Sequence, residues 1–274
     1  DDLIMKKRTD LSVVILAAGK GKRMKSERPK VMFDLAGWPL IRHVAETANA
    51  LRPKRLVIVA GHGRDQVKDA LEGFGAEIAI QREQRGTGHA VRFASRLLAK
   101  QDGTVLVLYG DVPLIRPETL KRLLSTHRRR KAAVTILTAV APSPTGYGRI
   151  LRDSRNGAIV AIREEKDATA AERAVTEINT GIMAFRSDLL WPALRRLKAD
   201  NAQNELYLTD VPGLLIAKGE KVVGVTADEF RDVRGVNSLA DLAEAAGRAR
   251  MRILADHMER GVRIVDPSTT WIDR

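Results

Sequence analysis

LSVVILAAGKGKRMKSERPK, Leu11 to Lys30, is the stretch on which the reading of the chain turns. Leu11 to Leu16 is an almost wholly apolar run with three β-branched residues, which suits a strand buried on both faces of a parallel sheet. The run breaks into Ala17, Ala18, Gly19, Lys20 and Gly21, and Lys22, Arg23, Lys25, Arg28 and Lys30 follow. Small residues let backbone N–H groups approach a ligand, and the cations complement phosphate. The stretch therefore reads as a strand ending in an anion-binding loop, with a solvated basic loop as the alternative. Gly19 and Gly21 lack the third glycine of the dinucleotide fingerprint, and the spacing of a P-loop is missing as well.

Outward from this loop, short apolar runs alternate with segments of helical spacing. Arg55–Ala60, Glu77–Gln81, Thr104–Tyr109, Ala133–Val140, Ile178–Phe185 and Lys221–Thr226 read as strands. Helices are expected over Pro39–Leu51, Arg64–Leu71, Gly88–Ala99, Pro117–His127, Ser187–Lys198, Tyr207–Lys218 and Leu239–Met258. Such alternation predicts an open α/β sheet. Between Pro142 and Thr180 the pattern loosens, and strand candidates Arg149–Leu151 and Ala158–Ile162 flank the turn signal Asn156-Gly157. This part reads as a lobe laid across the sheet. After Gly261 a short terminal strand and the start of a further domain are both open.

The chain has 274 residues, of which 44% are hydrophobic and 30% charged, as expected of a globular protein. Aromatic residues make up only 4%, which gives little support to base stacking along single-stranded nucleic acid. With no cysteine, disulfides, thiolate nucleophiles and cysteine-ligated zinc are excluded. The +13 net charge is spread over helix-like segments and reads mainly as a solvated surface that also attracts polyanions. No apolar stretch approaches the roughly 20 residues that span a membrane. The N-terminus has no signal-peptide core. A cytoplasmic protein is expected.

Ligands of open α/β sheets sit at the carboxyl ends of the strands. Asp111, after Thr104–Tyr109, is thus placed to hold Mg2+ against phosphates, or else to cap a turn. Gln81 can read a base edge through its amide. Thr87 suits an N-cap, and His89 is expected to cap or pack, since no second histidine stands at metal-ligand spacing. Asn179 and Asn237 each lie two residues from a glycine at an element boundary, where they can turn the chain or offer a neutral oxygen. Glu164, Glu165 and Lys166 can bind sugar hydroxyls or form a solvated charge cluster.

The ordered set LAAGKGKRM (16–24), PKV (29–31), QREQRGTGHA (81–90), LYGDVPLI (108–115), TGYGRI (145–150), EEKDAT (164–169), EINTGI (177–182), NELYLTD (204–210) and VRGVN (233–237) resembles one family. It is the uridyltransferase domain of the bacterial bifunctional N-acetylglucosamine-1-phosphate uridyltransferase/glucosamine-1-phosphate acetyltransferases. The match covers nearly the whole chain. The resemblance implies a Rossmann-like nucleotide-diphospho-sugar transferase fold, with a mostly parallel central sheet flanked by helices and a small β-containing sugar-binding lobe.

It further implies that Leu16, Ala17, Ala18, Gly19 and Tyr109 line a uridine nucleotide, with Gln81, Gly86 and Thr87 around uracil. Arg23 and Lys30 would contact phosphates, with Lys166 a lesser candidate. Gly148, Glu164 and Asn179 would hold N-acetylglucosamine, and Asp111 and Asn237 would bind Mg2+. The implied substrates are UTP and N-acetylglucosamine 1-phosphate, and the products are UDP-N-acetylglucosamine, a peptidoglycan precursor, and pyrophosphate. Specific nucleic-acid binding and membrane association are not expected.

On this reading residues 1–10 are an extension, 11–238 the transferase domain, 239–260 a helical segment, and 261–274 the start of a linker to a left-handed β-helix. Acetyltransferase activity is expected to be absent without that β-helix, and self-association loses its main basis. The sequence departs from the family pattern at Asn204, Leu206 and Leu239.

Overall fold

The computed structural model describes residues 10–19 and 21–274. The expected N-terminal extension, apart from Asp10, and Lys20 lie outside the described residues.

Leu11–Ala17 forms β1, buried along its whole length, as its apolar run requires. Its side chains alternate between two cores. Val13, Ile15 and Ala17 face one and Val14 and Leu16 the other, the period of two that a strand imposes. A small hairpin follows, β2 (Asp34–Leu35) with β3 (Trp38–Pro39), which the sequence reading did not anticipate. Then come α1 (Leu40–Asn49), β4 (Arg55–Ala60), α2 (Arg64–Ala70), β5 (Ala76–Ile80), α3 (Thr87–Leu98), β6 (Thr104–Tyr109), α4 (Pro117–Arg130) and β7 (Val134–Val140). The lobe contributes β8 (Gly148–Arg152), β9 (Ile159–Arg163) and α5 (Ala170–Arg173). β10 (Glu177–Arg186), α6 (Ser187–Arg195), α7 (Asp210–Ile216), β11 (Val222–Thr226) and α8 (Leu239–Glu259) complete the fold.

The sheet order is β11-β7-β10-β6-β1-β4-β5, and the β8–β9 hairpin attaches to β10. All pairings along this path are parallel except those of β10, which runs antiparallel to both β6 and β7. The chain moves from β1 outward through β4 and β5, then returns to place β6 on the other side of β1. That reversal makes the carboxyl ends of β1 and β6 a topological switch point, where open α/β sheets bind ligands.

α8 starts from a capping box in which Ser238 and Asp241 satisfy each other's backbone N–H. Its Ala245 and Ala249 share a third core cluster with Met24, Leu35, Leu40, Leu114 and Val236. The helix is therefore packed against the first part of the chain. No terminal strand forms after Gly261. Instead the tail turns back, and the Arg274 N–H donates to the Ala36 carbonyl at 3.1 Å while the Arg250 guanidinium lies 4.4 Å from the Trp271 ring centre. Among the described residues, no helix is long and apolar enough to cross a membrane.

The helix expected over Tyr207–Lys218 begins only at Asp210, because the residues before it have another task. Leu206 N–H donates to the Arg85 carbonyl at 2.8 Å, and the Leu206 carbonyl accepts from Gly88 N–H at 2.8 Å. Leu208 N–H donates to the Thr87 hydroxyl at 3.0 Å. The segment is thus a strap across the start of α3. Gly86 permits this closeness: its φ is +97°, and a Cβ there would lie 2.6 Å from the Leu206 carbonyl oxygen. Gly86 is also the N-cap of α3, the place the sequence reading gave to Thr87.

Candidate functional site

A cleft of about 300 Å³ opens at the switch point. Its walls are the β1 end and following loop (Leu16, Ala17, Ala18, Gly19), the α3 entry (Gln81, Gly86, Thr87), the β6 end (Tyr109, Asp111) and Lys30. Ten residues singled out from the sequence thus meet in one cavity. Val31, Gln84, Ala90 and Glu205 also line it and were not foreseen as site residues. Gln84 stands between Gln81 and Gly86, and that proximity is the signal its sequence position offers. Its amide nitrogen donates to the Ala18 carbonyl, tying the α3 entry to the loop after β1.

Lys30, in a 3₁₀ turn, brings a cation into the cleft wall. Its ammonium donates to Asp111 Oδ2 and, at 3.0 Å, to Asn237 Oδ1. The two side chains expected to hold a metal therefore converge on one cation. The Val236 N–H, donating to the Asp111 carbonyl at 2.7 Å, fixes the two segments side by side. Two hard oxygens, one of them anionic, fit a small divalent ion such as Mg2+. Among the described residues no group of three or more His, Cys, Asp or Glu could hold a metal. An ion held by Asp111 and Asn237 would thus take its other oxygens from water and phosphates, as Mg2+ commonly does.

The expected sugar-binding residues gather where the β8–β9 hairpin of the lobe meets β10. Gly148 pairs with Asn179 in the β8–β10 register, and a Cβ at 148 would sit 3.4 Å from Glu164 Oε1. Asn179 Oδ1 accepts from Gly181 N–H at 2.9 Å. Gly181 has φ +85°, and its missing Cβ leaves room for the Tyr109 ring, which would otherwise stand 2.6 Å away. Tyr109 links the two groups of residues. Burial, reinforced by the charges of Glu164 and Asp111, pushes its phenol well above the ordinary range and keeps it a neutral donor at pH 7.

Two expected phosphate contacts stand apart. Arg23 is exposed and does not line the cleft, because its 3₁₀ turn, Lys22–Met24, is anchored by the buried Met24. Lys166 is exposed on the turn after Glu164 and also lies outside the cleft walls.

Burial raises the Glu164 pKa above its ordinary value of 4.5, opposed by the hydrogen bond from the Thr209 hydroxyl at 2.8 Å. A carboxyl whose folded pKa is raised costs stability once pH exceeds its unfolded value, and the full cost is present above the folded pKa. Glu164→Gln is therefore expected to raise Tm at pH 7. Melting curves should show the gain disappearing as pH falls below 4.5.

The MobA-like NTP transferase domain family matches residues 13–209. The bifunctional protein GlmU of Streptomyces avermitilis is 48% identical over 265 residues, covering 96% of this chain and 55% of that protein. The GlmU of Brevibacillus brevis is 46% identical over 263 residues, 96% of this chain and 57% of that protein. The chain thus spans just over half the length of these relatives. A crystal structure of UDP-glucose pyrophosphorylase complexed with UDP-glucose superposes with a TM-score of 0.69, covering 88% of this chain and 98% of that one at 17% identity, a likeness of fold. The chain belongs to the MobA-like NTP transferase domain family.

Proposed function

We propose that the chain transfers the uridylyl group of UTP to N-acetyl-α-D-glucosamine 1-phosphate, giving UDP-N-acetylglucosamine and pyrophosphate. The observation that carries this reading is the convergence of Asp111 and Asn237 on Lys30, with Asp111 and Lys30 in the wall of a cleft built on the small-residue loop after β1. The high identity to GlmU over nearly all of this chain supports the choice of sugar phosphate and base.

In the reaction a phosphate oxygen of the sugar phosphate attacks the α-phosphorus of UTP. The bond from that phosphorus to the bridging oxygen of the β-phosphate breaks, and pyrophosphate leaves on the opposite side. The nucleophile is already an anion at neutral pH, so no protein base is required. What the protein must overcome is repulsion between two phosphates while holding them in line. The Ala17–Gly19 backbone admits the triphosphate closely, and Lys30 supplies positive charge at the reacting end. Gln81, Gly86 and Thr87 hold the base, Tyr109 packs beside nucleotide and sugar, and Gly148, Glu164 and Asn179 hold the sugar. Arg23, and less directly Lys166, stand outside the cleft walls and would have to turn inward to reach outlying phosphate oxygens. Asp111 and Asn237 would hold Mg2+, which when bound neutralises charge on the phosphates.

The test is pyrophosphate release from a panel of UTP, dTTP, CTP and GTP against several sugar 1-phosphates. Turnover with UTP and N-acetylglucosamine 1-phosphate well above all other pairs is expected, and a different best pair would reassign the base or the sugar. Lys30→Ala is expected to lower kcat/KM for UTP by about tenfold to a hundredfold, through weaker phosphate alignment. An unchanged kcat/KM would remove Lys30 from direct contact.

A further inference from the structure

Gln81 is fixed more firmly than a base-contacting amide needs to be. Its backbone N–H donates to the Ala60 carbonyl at 2.8 Å, its side chain is buried, and its Nε2 faces His89 Nδ1 at 3.1 Å. An amide nitrogen only donates, so this contact is a hydrogen bond when Nδ1 carries no proton. Burial lowers the His89 pKa below 6.5, helped by the cationic Arg85 and Arg92 and opposed by the Glu83 carbonyl and carboxylate, so the ring is neutral at pH 7 with a single N–H. The donor amide facing Nδ1 selects the tautomer with its proton on Nε2, leaving Nδ1 to accept from Gln81. Phe93 packs edge-on to the imidazole, 5.0 Å between ring centres, and holds it in this orientation.

We propose that His89 is a positioning residue for base selectivity: by occupying the Gln81 amide nitrogen, it turns Oε1 toward the cleft, so that the site demands a hydrogen-bond donor from the base. This inference rests on the reading of the cleft as a pyrimidine nucleotide site. Uracil offers N3–H to that oxygen. Cytosine carries a lone pair at N3 and would set acceptor against acceptor, leaving a buried polar atom unmatched. Thymine has the same N3–H as uracil, so the His89 contact does not distinguish the two. With His89 removed, the amide is free to turn over and present its nitrogen, and the exclusion of cytosine is lost.

The experiment compares kcat/KM for UTP, CTP and dTTP in the wild-type protein and in His89→Ala, with pyrophosphate release as the readout. The UTP:CTP ratio is expected to fall about tenfold or more in the variant while the UTP:dTTP ratio stays unchanged. A variant that loses rate equally with all three nucleotides would show a structural role only and overturn the proposal. A second measurement needs no variant. Nitrogen NMR of the wild-type imidazole at neutral pH should find Nε2 protonated and Nδ1 bare, and a protonated Nδ1 on a neutral ring overturns the assignment. A wild-type protein that uses UTP and CTP equally, with Nδ1 bare, overturns both the proposal and the uridine reading of the cleft, whereas equal losses in the variant of a wild-type protein that prefers UTP overturn the proposal alone.

Discussion

Asp111→Ala is expected to lower kcat/KM by about a hundredfold to a thousandfold with little change in Tm. The magnitude is that of removing one preorganised electrostatic group from a reacting centre. The fold should tolerate the change because the link between the segments runs through the backbone. The Val236 N–H donates to the Asp111 carbonyl whatever side chain residue 111 carries. Lys30 loses one partner but keeps Asn237 at 3.0 Å and an opening toward the cleft. If Asp111 holds a divalent ion, the deficit should be largest at limiting Mg2+ and shrink as Mg2+ rises. Equal rates for variant and parent at limiting Mg2+ would end the assignment, and a large fall in Tm would make Asp111 a structural residue. Asp111→Asn keeps an oxygen without its charge, so it should fall between parent and alanine.

The sheet was legible in the sequence because its strands are nearly pure apolar runs. Arg55–Ala60 and Thr104–Tyr109 end where the alternation of composition ends, and β1 divides its residues between two cores as strand periodicity demands. Overshoot came where the chain spends its backbone hydrogen bonds on another element. Helical spacing begins at Tyr207, yet Leu206 and Leu208 are bound to the start of α3, and no local pattern reports that contact. The tail after Gly261 resembles a strand only while its partner is unknown. In the folded chain its last residues meet the Ala36 loop.

The site was legible by kind but not by assembly. Asp111 is marked by its place at a strand end, but Lys30 lies 81 residues before it and 207 before Asn237. Their convergence is a product of the β1–β6 pairing and of the packing of α8. His89 gave no functional signal in the sequence, since a lone histidine on a helix is ordinary. Only its contact with Gln81 gives it a role.

Asp232→Ala is expected to destabilise the protein by about 3 kcal/mol, the lower end of what removing one partner of a buried ion pair costs. Asp232 is 6% exposed and receives three arginines. Arg116 Nε donates at 2.8 Å from the start of α4, Arg248 at 2.9 Å from α8, and Arg252, also on α8, contacts the same carboxylate. Removing the carboxylate leaves these cations facing one another across a partly buried joint. Desolvation already lowers the Arg252 pKa, a sign of how poorly its charge is hydrated. The lower end of the range applies because Arg116, 53% exposed, can turn to water.

The consequence should reach the active site. Asn237 N–H donates to Asp241 Oδ2 at 3.0 Å, so this candidate metal ligand hangs on the capping turn of α8. A loosened α8 leaves Asn237 less well placed, while Asp111, held by the sheet, stays put. The expected result is a lower denaturant midpoint together with a higher Mg2+ concentration for half-maximal rate, and a smaller change in kcat at saturating Mg2+. An unchanged midpoint would mean that the arginines find other partners. A lower midpoint with an unchanged Mg2+ requirement would mean that Asn237 does not depend on how α8 is seated, and its place beside Lys30 would then come from the Gly235–Asn237 turn alone.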